Sequence, residues 1–139
     1  MTISEPARAL MDARFGRDTL LSLATVDQAG EPHVRIVDSY YEDGAFYVVT
    51  YALSNKMQQI AKHPQVGVCG EWFTGQGVGE NLGWVCAEEN RDLIAKLRTV
   101  FSAWYYEGDV NESDPNTCIL RVRLLRGLLQ DHGARYELV

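Results

Sequence analysis

The sequence predicts a mainly β, α+β protein: a closed or half-closed antiparallel barrel of six to eight strands with about three helices attached. Three observations carry this. Apolar and β-branched runs recur along the chain. Short turns containing glycine join many of them, as in "DQAGEP", "EDG" and "DHG", and such turns favour hairpins over parallel crossovers. Three other segments carry helical spacing with breakers at their ends. Closing the sheet also removes exposed strand edges.

The elements follow in order. Ser4 before Pro6 marks a helix start, and Ala7, Leu10 and Met11 continue it to about Gly16. "TLLSLATV" (19–26), "HVRIVDSYY" (33–41) and "AFYVVTY" (45–51) read as three strands of a meander. Met57, Ile60 and Ala61 give one face of a short helix, closed by His63-Pro64. "QVGVCGEWF" (65–73) is a fourth strand, with close approaches expected at Gly67 and Gly70. "GQGVGENLGWVCA" (75–87) reads as a glycine-rich loop or kink that becomes a strand at about 82–87. Leu93, Leu97, Val100, Phe101 and Trp104 form one stripe, so a helix is expected over 90–106. A polar loop, 107–116, leads to a strand over 118–130 that bends at Gly127, a turn at 131–133 and a last strand to 139.

The 139 residues suit a single domain with a real core. A net charge of -6 argues against nucleic acid or an anionic membrane as main partner, because neutralising phosphates needs clustered Lys and Arg. No apolar run approaches the ~18 residues of a membrane helix. The N-terminus lacks a signal-peptide core. Cys69, Cys86 and Cys118 are widely spaced and odd in number, so neither a zinc site nor a disulfide framework is expected, and a cytoplasmic setting is. His33, His63 and His132 have no metal-ligand spacing. "GQGVG" lacks the βαβ context of a dinucleotide fingerprint.

The chemistry concentrates where the third strand meets the next helix, in "TYALSNKMQQI". A helix N-terminus offers free N–H groups and a partial positive charge. Ser54 adds a hydroxyl, Asn55 an amide and Lys56 a point charge, which suits a phosphate. An ordinary Ser54 cap with a solvated Lys56 explains the same residues. Arg35 bears on the choice. It shares a strand face with His33, Val37 and Ser39, and a charge in an apolar strand needs a partner. A hairpin of 33–41 with 45–51 would bring Arg35 to the same end as Lys56, making a dianion site. A surface carboxylate as the Arg35 partner is the competing expectation.

Over "LLSLATVDQAGEPHVRIVDSYYEDGAFYVVT" and "YALSNKMQQIAKHPQVGVCG", and more loosely to Leu138, the sequence resembles the pyridoxamine 5'-phosphate oxidase-like, FMN-binding split-barrel superfamily. The resemblance implies a Greek-key split barrel whose Arg35, Ser54 and Lys56 grip the FMN phosphate. It implies that Ile36, Val37, Thr50 and Tyr51 line the isoalloxazine ring. It also implies a homodimer with the cofactor at the interface, and an oxidoreductase passing electrons from NAD(P)H to a small acceptor. The ending "GLLQDHGARYELV" does not reproduce the Arg-rich signature of the true oxidase. The general-stress and nitroimidazole-resistance-like members are closer in kind. His33 and Tyr51 are the candidate proton donors. The alternatives are a flavin-binding or sensor barrel without turnover, or the same barrel holding F420 or haem. F420 would call for more basic residues, and haem for an axial histidine.

Overall fold

Alternation and turn chemistry set the first half of the fold. A computed structural model describes residues 1–108 and 110–139. Asp109, inside the expected loop 107–116, lies outside the described residues. Helix α1 (Glu5–Phe15) starts as the sequence indicates: Ser4 Oγ accepts from the Ala7 N–H at 3.4 Å, with Pro6 in the first turn. It buries Ala7, Met11 and Phe15.

Strands β1 (Thr19–Val26), β2 (Pro32–Glu42) and β3 (Ala45–Tyr51) form the expected meander. The β2–β3 turn places Asp43 at φ 48° and Gly44 at φ 86°, the left-handed pair that a two-residue hairpin turn requires. Helix α2 (Asn55–Lys62) then leads to β4 (Gln65–Gly70) beside β1. The spatial order β3-β2-β1-β4 is a Greek key.

β4 turns at Glu71-Trp72 into β5 (Phe73–Trp84). This corrects two expectations. The fourth strand ends at Gly70, not Phe73, and the glycine-rich segment is strand, not loop. The reason is steric. Gly75, Gly77 and Gly79 alternate with exposed or half-buried residues and face inward. A Cβ at Gly75 would lie 2.8 Å from the Phe73 ring, at Gly77 2.5 Å from the Arg123 carbonyl oxygen, and at Gly79 2.8 Å from Ile60. These glycines let backbone and core side chains approach the strand. Gly70 plays the expected role, 2.6 Å from Phe15, whereas Gly67 meets only an ordinary contact with Ala24.

Helix α3 (Arg91–Val100) follows a single 3-10 turn, Glu88–Asn90. It stops six residues short of the expected end, and successive turns carry the chain through 101–106. The buried stripe survives the change, centred on Ile94, Leu97, Phe101 and Tyr105, with Leu93, Val100 and Trp104 flanking it.

Strand β6 (Thr117–Asp131) is fifteen residues long. Its first half pairs with β3 and closes a six-stranded antiparallel barrel; most of its length pairs with β5. One extra residue, Leu125, sits between the Gly77↔Leu124 and Gln76↔Arg126 pairs. Beyond this bulge β6 leaves the barrel and pairs with β7 (Ala134–Leu138). Inside the barrel, Phe15, Phe46 and Phe73 stack edge-on or tilted, with centroids 5.6 to 6.1 Å apart. No helix of the described residues is long and apolar enough to cross a membrane.

Candidate functional site

β2 and β3 share a turn but part quickly. Their pairing ends at Tyr40↔Tyr47. Past that point β2 runs with β1, and β3 runs with β6. The gap holds a cavity of about 310 Å3. Val37 and Asp38 of β2, Val49, Thr50 and Tyr51 of β3, and Lys56 of α2 line it. Trp104, Val110 and Thr117 line it as well. β2 and β3 thus keep the expected hairpin next to their turn, and the barrel splits beyond it as the resemblance implies, with β3 finding seven partners on β6.

The split still brings Arg35 near Lys56. Burial lowers the Lys56 pKa, and the Arg35 charge lowers it further. Lys56 is the second residue of α2, at the positive end of the helix dipole. Neither cation has an ion-pair partner among the described residues, so no surface carboxylate claims Arg35. Ser54 is the N-cap, and its Oγ accepts from the Met57 N–H at 3.4 Å. A hydroxyl that accepts in this way still has its own proton to donate. Capping and anion binding do not compete at Ser54.

Arg35 is held by the His33 carbonyl of its own strand at 3.4 Å and by three residues that the sequence did not single out. Its Nη1 donates to Thr25 Oγ1 at 2.7 Å and to the Leu23 carbonyl at 3.3 Å. The fully buried Thr25 hydroxyl donates in turn to Gln59 Oε1 at 2.5 Å, and Arg35 Nη2 reaches the same oxygen at 3.5 Å. Every partner is a neutral oxygen. The guanidinium is aimed but not neutralised, and burial lowers its pKa.

The remaining expected residues separate. Val37, Thr50 and Tyr51 face the cavity with Lys56. Ile36 does not line the cavity and is 66% exposed. Asn55 lines a different hollow, of about 480 Å3, with Asp27, Gln59 and His63. His33 pairs with Asp27 at 2.9 Å and does not line the cavity.

The far wall is braced by one carboxylate. Glu112 accepts from Arg98 Nε at 2.9 Å and Nη2 at 3.0 Å, and from the Tyr105 hydroxyl at 2.5 Å. This ties α3 to the segment carrying Trp104, Val110 and Thr117. Trp104 packs on Phe101, and its Nε1 donates to Asp18 Oδ2 at 3.0 Å. No local sequence signal marks Thr25, Gln59, Asp38 or Glu112. Their roles depend on which strands become neighbours.

Residues 8–131 of the chain match the family profile described as pyridoxamine 5'-phosphate oxidase. The chain belongs to this family. Within the pyridoxamine 5'-phosphate oxidase family, it is 36% identical over 66 residues to the pyridoxine/pyridoxamine 5'-phosphate oxidase of Edwardsiella ictaluri. That match takes in 47% of this chain and only 30% of the Edwardsiella oxidase. The fold resembles general stress protein 26 from Bacillus anthracis, with a TM-score of 0.66, 19% identity and coverage of 86% of this chain and 90% of that one. A FAD-binding protein from Mesorhizobium loti superposes over 100% of both chains, with a TM-score of 0.64 and 17% identity. At these identities the solved structures speak for the family's barrel alone.

Proposed function

We propose that the protein binds FMN at the β2–β3 split and works as an oxidoreductase, passing electrons from NAD(P)H to a small acceptor. One observation carries the reading: Arg35 and Lys56, with no ion-pair partner among the described residues, feel one another's charge at a capped helix start, and Lys56 lines a cavity walled largely by apolar side chains. Such an arrangement is electrostatically unfavourable until a dianion arrives. Arg35, Lys56, the Ser54 hydroxyl and the first backbone N–H groups of α2 match a phosphate monoester in charge and donor number. Val37, Val49, Thr50 and Tyr51 offer a surface for a flat ring. The bound flavin would supply hydride and electron transfer. The chain would supply the phosphate grip and a cavity that limits access of water.

The oxidoreductase reading draws on the family, and the FAD-binding neighbour supports flavin in this barrel. A homodimer is part of the proposal. Leu20, Val34 and Ile36 are 62%, 69% and 66% exposed on the outer face of β1 and β2, an apolar surface that a second copy would cover. The cytoplasmic assignment rests on three free thiols, two of them exposed.

A visible spectrum of the purified protein, alone and titrated with FMN, FAD, F420 and haem, tests the reading. The expected result is saturable FMN binding, with bleaching on anaerobic addition of NADH or NADPH. Binding without bleaching by either would leave a flavin carrier and remove the enzyme. A Soret band with no flavin binding would overturn the proposal, against the observation that no histidine lines the cavity among the described residues.

A further inference from the structure

The geometry points to Asp38 as the residue that selects what enters this cavity beside the cofactor: small cationic or hydrogen-bond-donating molecules are accepted, and carboxylates are turned away. The inference rests on the FMN reading and names the substrate class for the same site.

Asp38 and Lys56 line one cavity, yet no ion pair joins them. Neither charge perturbs the other's pKa, whereas Arg35 perturbs Lys56, so the carboxylate and the ammonium stand on separate parts of the wall. Lys56 sits at the helix start with Arg35, where a phosphate is expected. Asp38 has neither an ion pair nor a side-chain hydrogen bond among the described residues. Its neighbour Asp18 differs, because Trp104 Nε1 donates to Asp18 at 3.0 Å. Burial raises the Asp38 pKa, and the Asp18 charge raises it further. That is the direction for a carboxylate that lacks a counter-ion.

The charge balance of the loaded site then follows. A phosphate dianion cancels Arg35 and Lys56. Of the charges that this chain places at the cavity, what remains is that of Asp38, backed by Asp18. In the empty protein the two cations would draw an anion in; with FMN bound the sign reverses. A molecule carrying an amidinium, ammonium or N–H donor group can satisfy the free carboxylate oxygens of Asp38, whereas a carboxylate meets repulsion in a space of reduced dielectric.

Three probes of nearly one shape separate the cases: benzamidine, benzamide and benzoate, carrying one positive charge, none and one negative charge. Their affinities for the FMN-loaded protein are to be read by perturbation of the flavin absorbance and independently by calorimetry. Benzamidine is expected to bind about tenfold tighter than benzamide, with benzoate weakest. In Asp38→Asn, which keeps size and shape, the preference for benzamidine is expected to collapse to within about twofold when both proteins are saturated with FMN. Equal binding of the three probes, tighter benzoate, or an unchanged order in Asp38→Asn would overturn this inference while leaving the flavin reading intact. Failure of the wild-type protein to bind FMN would overturn the flavin reading, and this one with it. The order of the three probes on the wild-type protein needs no variant to fold.

Discussion

Lys56 occupies a poor place for a positive charge. It stands in the first turn of α2, half-buried, with Arg35 close by. A residue kept there for stability alone would be removable only at a cost. Lys56→Ala is instead expected to leave the thermal midpoint of the FMN-free protein unchanged or slightly higher, since a dipole and a like charge are relieved at about 0.3–1 kcal/mol. The same variant should weaken FMN binding by about 1.5–3 kcal/mol, as should Arg35→Ala. Paired melting and flavin titration read both effects. A falling midpoint with unchanged affinity would make the lysine structural. Thr25→Val leaves Arg35 in place but removes both hydrogen bonds of the buried hydroxyl. Its expected signature is weaker FMN binding by about 1 kcal/mol, seen in the same titration. At this scale the sequence was half legible. Ser54-Asn55-Lys56 announces itself by its place before a helix, and Arg35 by its charge inside a strand. Asp38, Thr25 and Gln59 are ordinary residues locally. Only the juxtaposition of β1, β2 and α2 gives them a role.

Among the elements, β5 shows most directly why propensity misleads. Its glycines argue for a loop, but their two-residue spacing is that of one strand face. The packing that demands them comes from Phe73, Arg123 and Ile60, and two of these are distant in sequence. Gly77→Ala is expected to cost about 1–3 kcal/mol in urea unfolding, because the methyl group would strike backbone. Gly108→Ala, with nothing within 4 Å, is the control, expected within about 0.5 kcal/mol. The meander, the turns at Asp43-Gly44 and His132-Gly133, and the starts of α1 and α2 were readable because local chemistry dictates them. The early end of α3 was not, since Phe101 and Tyr105 keep the helical stripe buried after regular helix has given way to turns. The Glu112 brace behind that stripe carries a pH signature. Arg98 and Tyr105 lower the Glu112 pKa below its ordinary 4.5, although burial opposes them. A carboxylate depressed in the folded state contributes stability that is fully present above its unfolded pKa and fades as pH falls through the folded one. Glu112→Gln should therefore narrow the gap to wild type as pH drops below about 4.5, measured by urea midpoints across pH 3 to 7.

For the molecule as a whole, the proposed cofactor and the proposed second copy would both act by mass action. FMN at about 100 times its dissociation constant adds about 2.7 kcal/mol to stability, which for a domain of this size raises the midpoint by about 10 °C. The apolar patch of Leu20, Val34 and Ile36 makes a monomer the surprising outcome of size-exclusion chromatography with light scattering. Val34→Glu together with Ile36→Glu should yield one. The topology also orders events during synthesis. β6 supplies the second partner of β3, the second partner of β5 and, among the described residues, the one strand paired with β7, and it begins at Thr117. A chain emerging from the ribosome therefore carries two unzipped strand margins until the residues from Thr117 onward are out. Premature termination anywhere before that strand would release a sticky half-sheet rather than a smaller folded protein.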